Sequence, residues 1–179
     1  MTNRLIFAIL CTSNFMTVLG IDPGIARCGW GVVEKNTSAS IKTIDFGCVV
    51  TLSTTDEATR LSQLYNEILN LLKKYKPDVV AVEKLFFAAN AKTALTVGQA
   101  RGAILVAAGT AGVSVASFTP LEVKQAITGY GRADKVQMQR MVTKTLGLSK
   151  TPQPDDTADA LAVAITYCFM KRYDRSTNR

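Results

Sequence analysis

Two short apolar runs each end in a carboxylate, and this pattern constrains the chain more than any other. Thr17-Val18-Leu19-Gly20-Ile21 leads into Asp22-Pro23-Gly24, and Val79-Val80-Ala81-Val82 leads into Glu83. Apolar, β-branched runs of this length, bounded by turn formers, read as buried strands. An acid at the end of a buried strand is costly unless something positive sits beside it. Two more acids, Asp156 and Asp159, open a long apolar helical stretch over 155–172. Residues three apart on a helix project from nearly the same face. That face continues through Val163, Thr166 and Met170. It is too apolar for a solvated stripe, so both acids are expected to point at the sheet. Two such acids at 4 Å repel by about 4 kcal/mol at an effective dielectric of 20. A bound cation turns that penalty into affinity. Their neighbour Asp155 reads as a helix N-cap.

The 179-residue chain contains no histidine. This excludes a Ser-His-Asp triad, a Cys-His pair and His-ligated zinc. Chemistry done by carboxylates and hard cations remains. The four cysteines, Cys11, Cys28, Cys48 and Cys168, lie at neither metal-binding nor redox-pair spacings. A reducing, cytoplasmic setting fits them. The formal net charge is +7, which suggests a polyanionic partner, although charge alone also serves solubility.

The organisation is that of one domain over 16–172. Residues 1–15 read as an N-terminal extension upstream of the fold. Their apolar run Leu5–Leu10 is far too short to span a bilayer, and no clear small-x-small cleavage site follows it. Residues 173–179 form a polar, basic tail. Strands are expected at 17–22, 28–35 and 41–51. A helix follows at 56–75, with Leu61, Leu64, Ile68, Leu71 and Leu72 on one face. Next come a strand at 78–83, a helix at 90–110, a strand at 113–118, and helices at 120–128, 133–146 and 155–172. This order implies an α/β fold: a mixed five-stranded sheet, three antiparallel strands followed by parallel βαβ units, flanked by helices. Gly98 and Gly102 permit close approach along the second helix, either to the sheet or to a second copy. Asp22 and Glu83 can meet if their strands are neighbours, since ligands gather at strand ends in open α/β sheets.

Four segments together resemble the RuvC family of bacterial Holliday-junction resolvases. They are Leu19-Gly20-Ile21-Asp22-Pro23-Gly24, Val82-Glu83-Lys84-Leu85-Phe86, Gly98-Gln99-Ala100-Arg101-Gly102 and Asp156-Thr157-Ala158-Asp159-Ala160-Leu161. Their order and spacing match over 17–170. The resemblance implies a ribonuclease-H-like fold and a homodimer. It implies two Mg²⁺ ions per subunit, replaceable by Mn²⁺, held by catalytic Asp22, Glu83, Asp156 and Asp159. The activity it implies is metal-assisted hydrolysis of phosphodiesters, with paired nicks in strands of like polarity across a four-way junction, in DNA recombination and repair. It further implies that Phe86 stacks into the junction centre, where core packing is the competing reading. Lys124 and Lys135 would lie near the scissile strand. Asn90 and Arg101 fall in matched segments and are further candidates for DNA contact. RuvA and RuvB are the partners expected of the family. Three other readings stand beside this one: a YqgF-type nuclease acting on other nucleic acids, a non-catalytic junction-binding module, and an actin-like kinase. The kinase layout normally needs roughly twice this length.

Overall fold

The three N-terminal apolar segments form one antiparallel meander in a computed structural model, which describes residues 15–84 and 91–171. Strands β1 (Phe15–Asp22), β2 (Arg27–Asn36) and β3 (Ile41–Val50) are followed by α1 (Glu57–Tyr75), β4 (Val79–Glu83), α2 (Ala91–Thr110) and β5 (Ser114–Phe118). Helices α3 (Pro120–Thr128), α4 (Lys135–Thr145) and α5 (Asp155–Met170) complete the chain. The sheet order is β3-β2-β1-β4-β5, with β4 parallel to β1 and β5 parallel to β4. The expected mixed sheet is therefore present, and every expected element is found within a residue or two of its place. Phe15 pairs with Asn36 at the start of β1, so this last residue of the expected extension belongs to the sheet. The rest of the expected extension, and the tail 173–179, lie outside the described residues.

Strand alternation divides the core in two. Leu19, Ile21, Val32, Val80 and Val82 pack with Leu64, Ile68 and Leu72 of α1 and with Ala100 and Ile104 of α2. Val18, Val33, Val79 and Ala81 pack on the other face with Val123, Met138, Val142, Leu161 and Ile165 of α3, α4 and α5. Successive side chains of a strand point to opposite faces. Asp22 follows Ile21 and Glu83 follows Val82, so both acids belong to the face that carries α5.

Helix α5 is buried over most of its length, from Thr157 to Cys168, and crosses β1 and β2. Glycine makes this contact possible. At Gly20 an added Cβ would lie 2.7 Å from the Cβ of Ala164, and at Gly31 it would lie 2.5 Å from a methyl of Leu161. At Gly29 it would overlap the backbone carbonyl of Asp156. Gly29 is the register partner of Asp22, so the closest approach of helix to sheet occurs beside the first acid. The Thr157 hydroxyl also donates to the Gly47 carbonyl at 3.3 Å, tying the start of α5 to β3.

The other end of α5 is held by a lysine that the sequence reading did not single out. Lys35 is buried. Its ammonium donates to the carbonyl of Cys168 and, at 2.7 Å, to that of Lys171. The last carbonyls of a helix have no internal partner and carry its negative dipole end, so a buried cation satisfies both demands. Lys35→Met is expected to cost about 1–3 kcal/mol by leaving these acceptors unpaired. Denaturant unfolding measures it, and a loss below about 0.5 kcal/mol would show that the cap contributes little.

Sheet packing is not the role of Gly102. A Cβ there would meet nothing within 4 Å, whereas Ala100, Ile104, Ala107 and Ala108 face the core. The outer side of α2 also exposes Leu95 and Val106.

Candidate active site

Parallel pairing of β1 with β4 sets Ile21 beside Val82. The next residue on each strand is the acid, so Asp22 and Glu83 end adjacent parallel strands on one face, about 4.8 Å apart in strand spacing. The first turn of α5 descends onto the same place, bringing Asp156 and Asp159. The four acids therefore come from two strand ends and one helix start.

Their charges act on one another. Burial pushes the Asp22 carboxyl up to about 8, helped by the negative charges of Glu83, Asp159 and Asp156 and opposed by Lys135. Glu83 is pushed up to about 7 by burial and by Asp159, with Lys124 acting against the shift. Burial also raises Asp159, and Asp155 and Asp156 add to this while Lys135 counters it. Acids that raise one another in this way share a site.

Cations stand around them. The Lys135 ammonium lies 3.0 Å from Asp155 and 3.7 Å from Asp159. Arg27 Nε lies 3.3 Å from Asp156. Glu83, Lys124, Lys135 and Asp159 line one cleft of about 220 Å³, floored by Pro120, Val123, Met138 and Ala162. Both lysines singled out from the sequence thus flank the acids. Asp155 is not the N-cap expected of it. Pro154 holds that position without a side-chain cap, and Asp155 instead accepts from Lys135 and, at 2.9 Å, from Gln139 of α4. The lysine contact holds its carboxyl below the usual range. Arg101 is half-buried and donates to the Ser117 hydroxyl at 3.0 Å, a tie between α2 and β5. Phe86 and Asn90 lie outside the described residues. Arg27 and Gly29 were missed in the sequence. Their signal was the Gly29-x-Gly31 alternation on one strand face and a basic residue just after the Asp22-Pro23-Gly24 turn.

The donor set fits a hard divalent cation: four carboxylates, of which Asp22, Glu83 and Asp159 are raised by burial and by neighbouring negative charge. Among the described residues, no three His, Cys, Asp or Glu side chains are drawn together tightly enough to ligate one ion as they stand. Arg27 and Lys135 occupy carboxylate oxygens that a cation would claim. A cation held here would therefore exchange these ion pairs for coordination.

The absence of histidine gives the site a clean pH signature. Asp22 and Glu83 titrate near 8 and 7 when folded, far above their unfolded values of 3.8 and 4.5. Between those limits the folded state holds more protons than the unfolded one, so stability falls as pH rises. Asp45, Asp56, Glu122 and Asp155 are shifted downward, and they act only at acid pH. Cys28 and Cys168 are pushed to about 12. In chelator, the unfolding midpoint is expected to drop steadily from pH 5 to pH 8, each acid contributing at most about 1.4 kcal/mol per pH unit. A flat or rising profile would show that the fold does not hold Asp22 and Glu83 in their protonated forms.

Known proteins share this sequence and this fold. The family model for the crossover junction endodeoxyribonuclease RuvC matches residues 18–167. The chain is 52% identical over 152 residues to a crossover junction endodeoxyribonuclease RuvC of Caldicellulosiruptor saccharolyticus, covering 85% of this chain and 92% of that protein. It is 51% identical over 169 residues to the protein of that name from Rubrobacter xylanophilus, covering 94% of each. Thermus thermophilus RuvC in complex with a Holliday junction substrate superposes with a TM-score of 0.83 at 40% identity, over 88% of this chain and 95% of that one. The yeast mitochondrial Holliday junction resolvase Ydc2 shares the fold, with a TM-score of 0.64 at 17% identity, over 84% of this chain and 77% of that one. The ribonuclease-H-like sheet and helices are thus those of these relatives, and the chain belongs to the RuvC family of crossover junction endodeoxyribonucleases.

Proposed function

We propose that this chain resolves four-way DNA junctions by metal-dependent hydrolysis of phosphodiester bonds, as a cytoplasmic enzyme of recombination and repair. The observation that carries the reading is the clustering of Glu83, Asp159 and Asp156 around Asp22, beside a cleft that Glu83 and Asp159 line together with Lys124 and Lys135. These four carboxylates are the residues that would hold Mg²⁺ or Mn²⁺. The bound ions would supply an activated water and stabilise the leaving oxygen.

The protein's own groups do the rest. Sheet pairing fixes the backbone of Asp22 and Glu83, so their carboxylates are presented from adjacent strand ends. Asp156 and Asp159 ride on a helix whose two ends are tied to the sheet. Lys124 and Lys135 favour a phosphate over the cleft. Carboxyls with pKa values near 7 and 8 ionise fully only when positive charge arrives, so the site assembles its negative charge as the cation binds.

A homodimer suits paired nicks, and the outer side of α2, with Leu95 and Val106 exposed and Gly102 uncovered, offers a seam. RuvA and RuvB are the partners proposed by family. The YqgF-type reading predicts no preference for junctions, and the binding-module reading predicts no cleavage. Cleavage of a four-way junction and of linear duplex by the full chain with Mg²⁺ separates them. Symmetric nicks in the junction and an intact duplex are expected. Equal cleavage of both, or binding without nicks, would overturn the proposal.

A further inference from the structure

We propose that Arg27 is a phosphate-contacting residue on the β2 side of the acids, across them from Lys124 and Lys135, and that it leaves Asp156 when metal and DNA bind. The inference rests on the junction-nuclease reading above and adds a residue to its DNA-binding surface.

Sheet order supplies the first argument. Strand β2 runs antiparallel to β1, so its first residue lies at the edge where β1 and β4 end. Reading across that edge gives Arg27 on β2, Asp22 on β1, Glu83 on β4, and then Lys124 on the helix after β5. Strands are spaced about 4.8 Å apart. The order is cation, acid, acid, cation. A DNA strand laid across it would place one phosphate over the acids and neighbouring phosphates over the flanking cations. Lysines on one side alone would leave the β2 side of the strand unheld.

The chemistry of Arg27 supplies the second argument. Its side chain is 55% exposed, and its ion pair with Asp156 uses Nε. A guanidinium presents a planar fork suited to phosphate. Gly29 and Cys48 pair beside it, and Gly29 lies against the Asp156 backbone, so Arg27 is seated where the helix start meets the sheet. An exposed single ion pair contributes little to stability. Arg27 can therefore exchange Asp156 for a phosphate at low cost when a cation takes the carboxylate.

The test is junction binding across a salt series, with Ca²⁺ in place of Mg²⁺, for the parent chain, Arg27→Gln and Arg27→Lys. Arg27→Gln is expected to shallow the log–log salt dependence by about 0.9, the loss of one phosphate contact. Arg27→Lys should retain the parent slope. Calorimetric titration of Mg²⁺ into the DNA-free proteins forms the second arm. An unchanged slope in Arg27→Gln, with only its Mg²⁺ affinity altered, would overturn the proposal and leave Arg27 as a counter-ion of Asp156. Should Arg27→Gln fold poorly in a thermal melt, a shallower slope in well-folded Arg27→Ala serves as the same test, and an unchanged one overturns it equally. Failure of the junction-nuclease reading looks different: the parent chain itself would then show no preference for four-way junctions.

Discussion

Asp22→Asn is expected to lower junction cleavage by about a thousandfold or more, equivalent to about 4 kcal/mol of barrier, while raising the stability of the metal-free protein. The two effects have opposite signs because the same charge serves both. Asp22 stands at the crowded centre of the acids, where burial and three negative neighbours hold its carboxyl near 8. An amide of the same shape removes the repulsion and also removes a ligand oxygen. Junction binding should persist, since Lys124, Lys135 and the other basic residues are untouched. Single-turnover cleavage beside a chelator melt at pH 8 reads both effects. Cleavage near the parent rate would remove Asp22 from the catalytic set. A destabilised variant would mean that Asp22 is held by favourable contacts and not by crowding.

Gly29→Ala is the second large effect. Its added methyl would overlap the Asp156 carbonyl, and backbone against backbone has no rotamer by which to yield. Overpacking of a tight core costs about 1–3 kcal/mol and occasionally more, and the upper end is expected here. The displaced element is the first turn of α5, which carries Asp156 and Asp159, so cleavage should fall along with the melting temperature. Gly109→Ala is the control. Its methyl would meet nothing within 4 Å, and the helix gains up to about 1 kcal/mol from alanine. A Gly29→Ala protein that melts and cuts like the parent would show that helix and sheet are not in close contact at this point.

These variants also mark what the sequence made legible. Acids at run ends were visible because burial on both faces of the sheet writes continuous apolar runs into β1 and β4. The runs placed Asp22 and Glu83 correctly once the strands were neighbours. The spacing of Asp156 and Asp159 was visible for the same reason on a helix. Helix starts were read to within two residues: Thr119 and Glu122 form a capping box before α3, and Asp134 and Gln137 form another before α4. The N-cap reading of Asp155 failed because a tertiary partner, Lys135, outcompeted the local backbone for its carboxylate. Lys35 was invisible because its partners, the carbonyls of Cys168 and Lys171, are far away in sequence and carry no side-chain signature. Gly29 looked like any strand glycine until α5 was laid across it. The roles of Phe86 and Asn90 rest on resemblance, since both lie outside the described residues.

The central claim is that four carboxylates converge to bind a divalent cation. The most direct measurement is a denaturant melt of the DNA-free chain and of Asp22→Asn at pH 8, each with and without Mg²⁺. An ion that binds only the folded cluster stabilises in proportion to its occupancy, by about 2.7 kcal/mol at a hundred times its Kd. The account predicts a clear Mg²⁺ gain for the parent chain, a higher metal-free midpoint for Asp22→Asn, and little or no Mg²⁺ gain for that variant. Equal Mg²⁺ response in both proteins, or none in the parent chain, would contradict it.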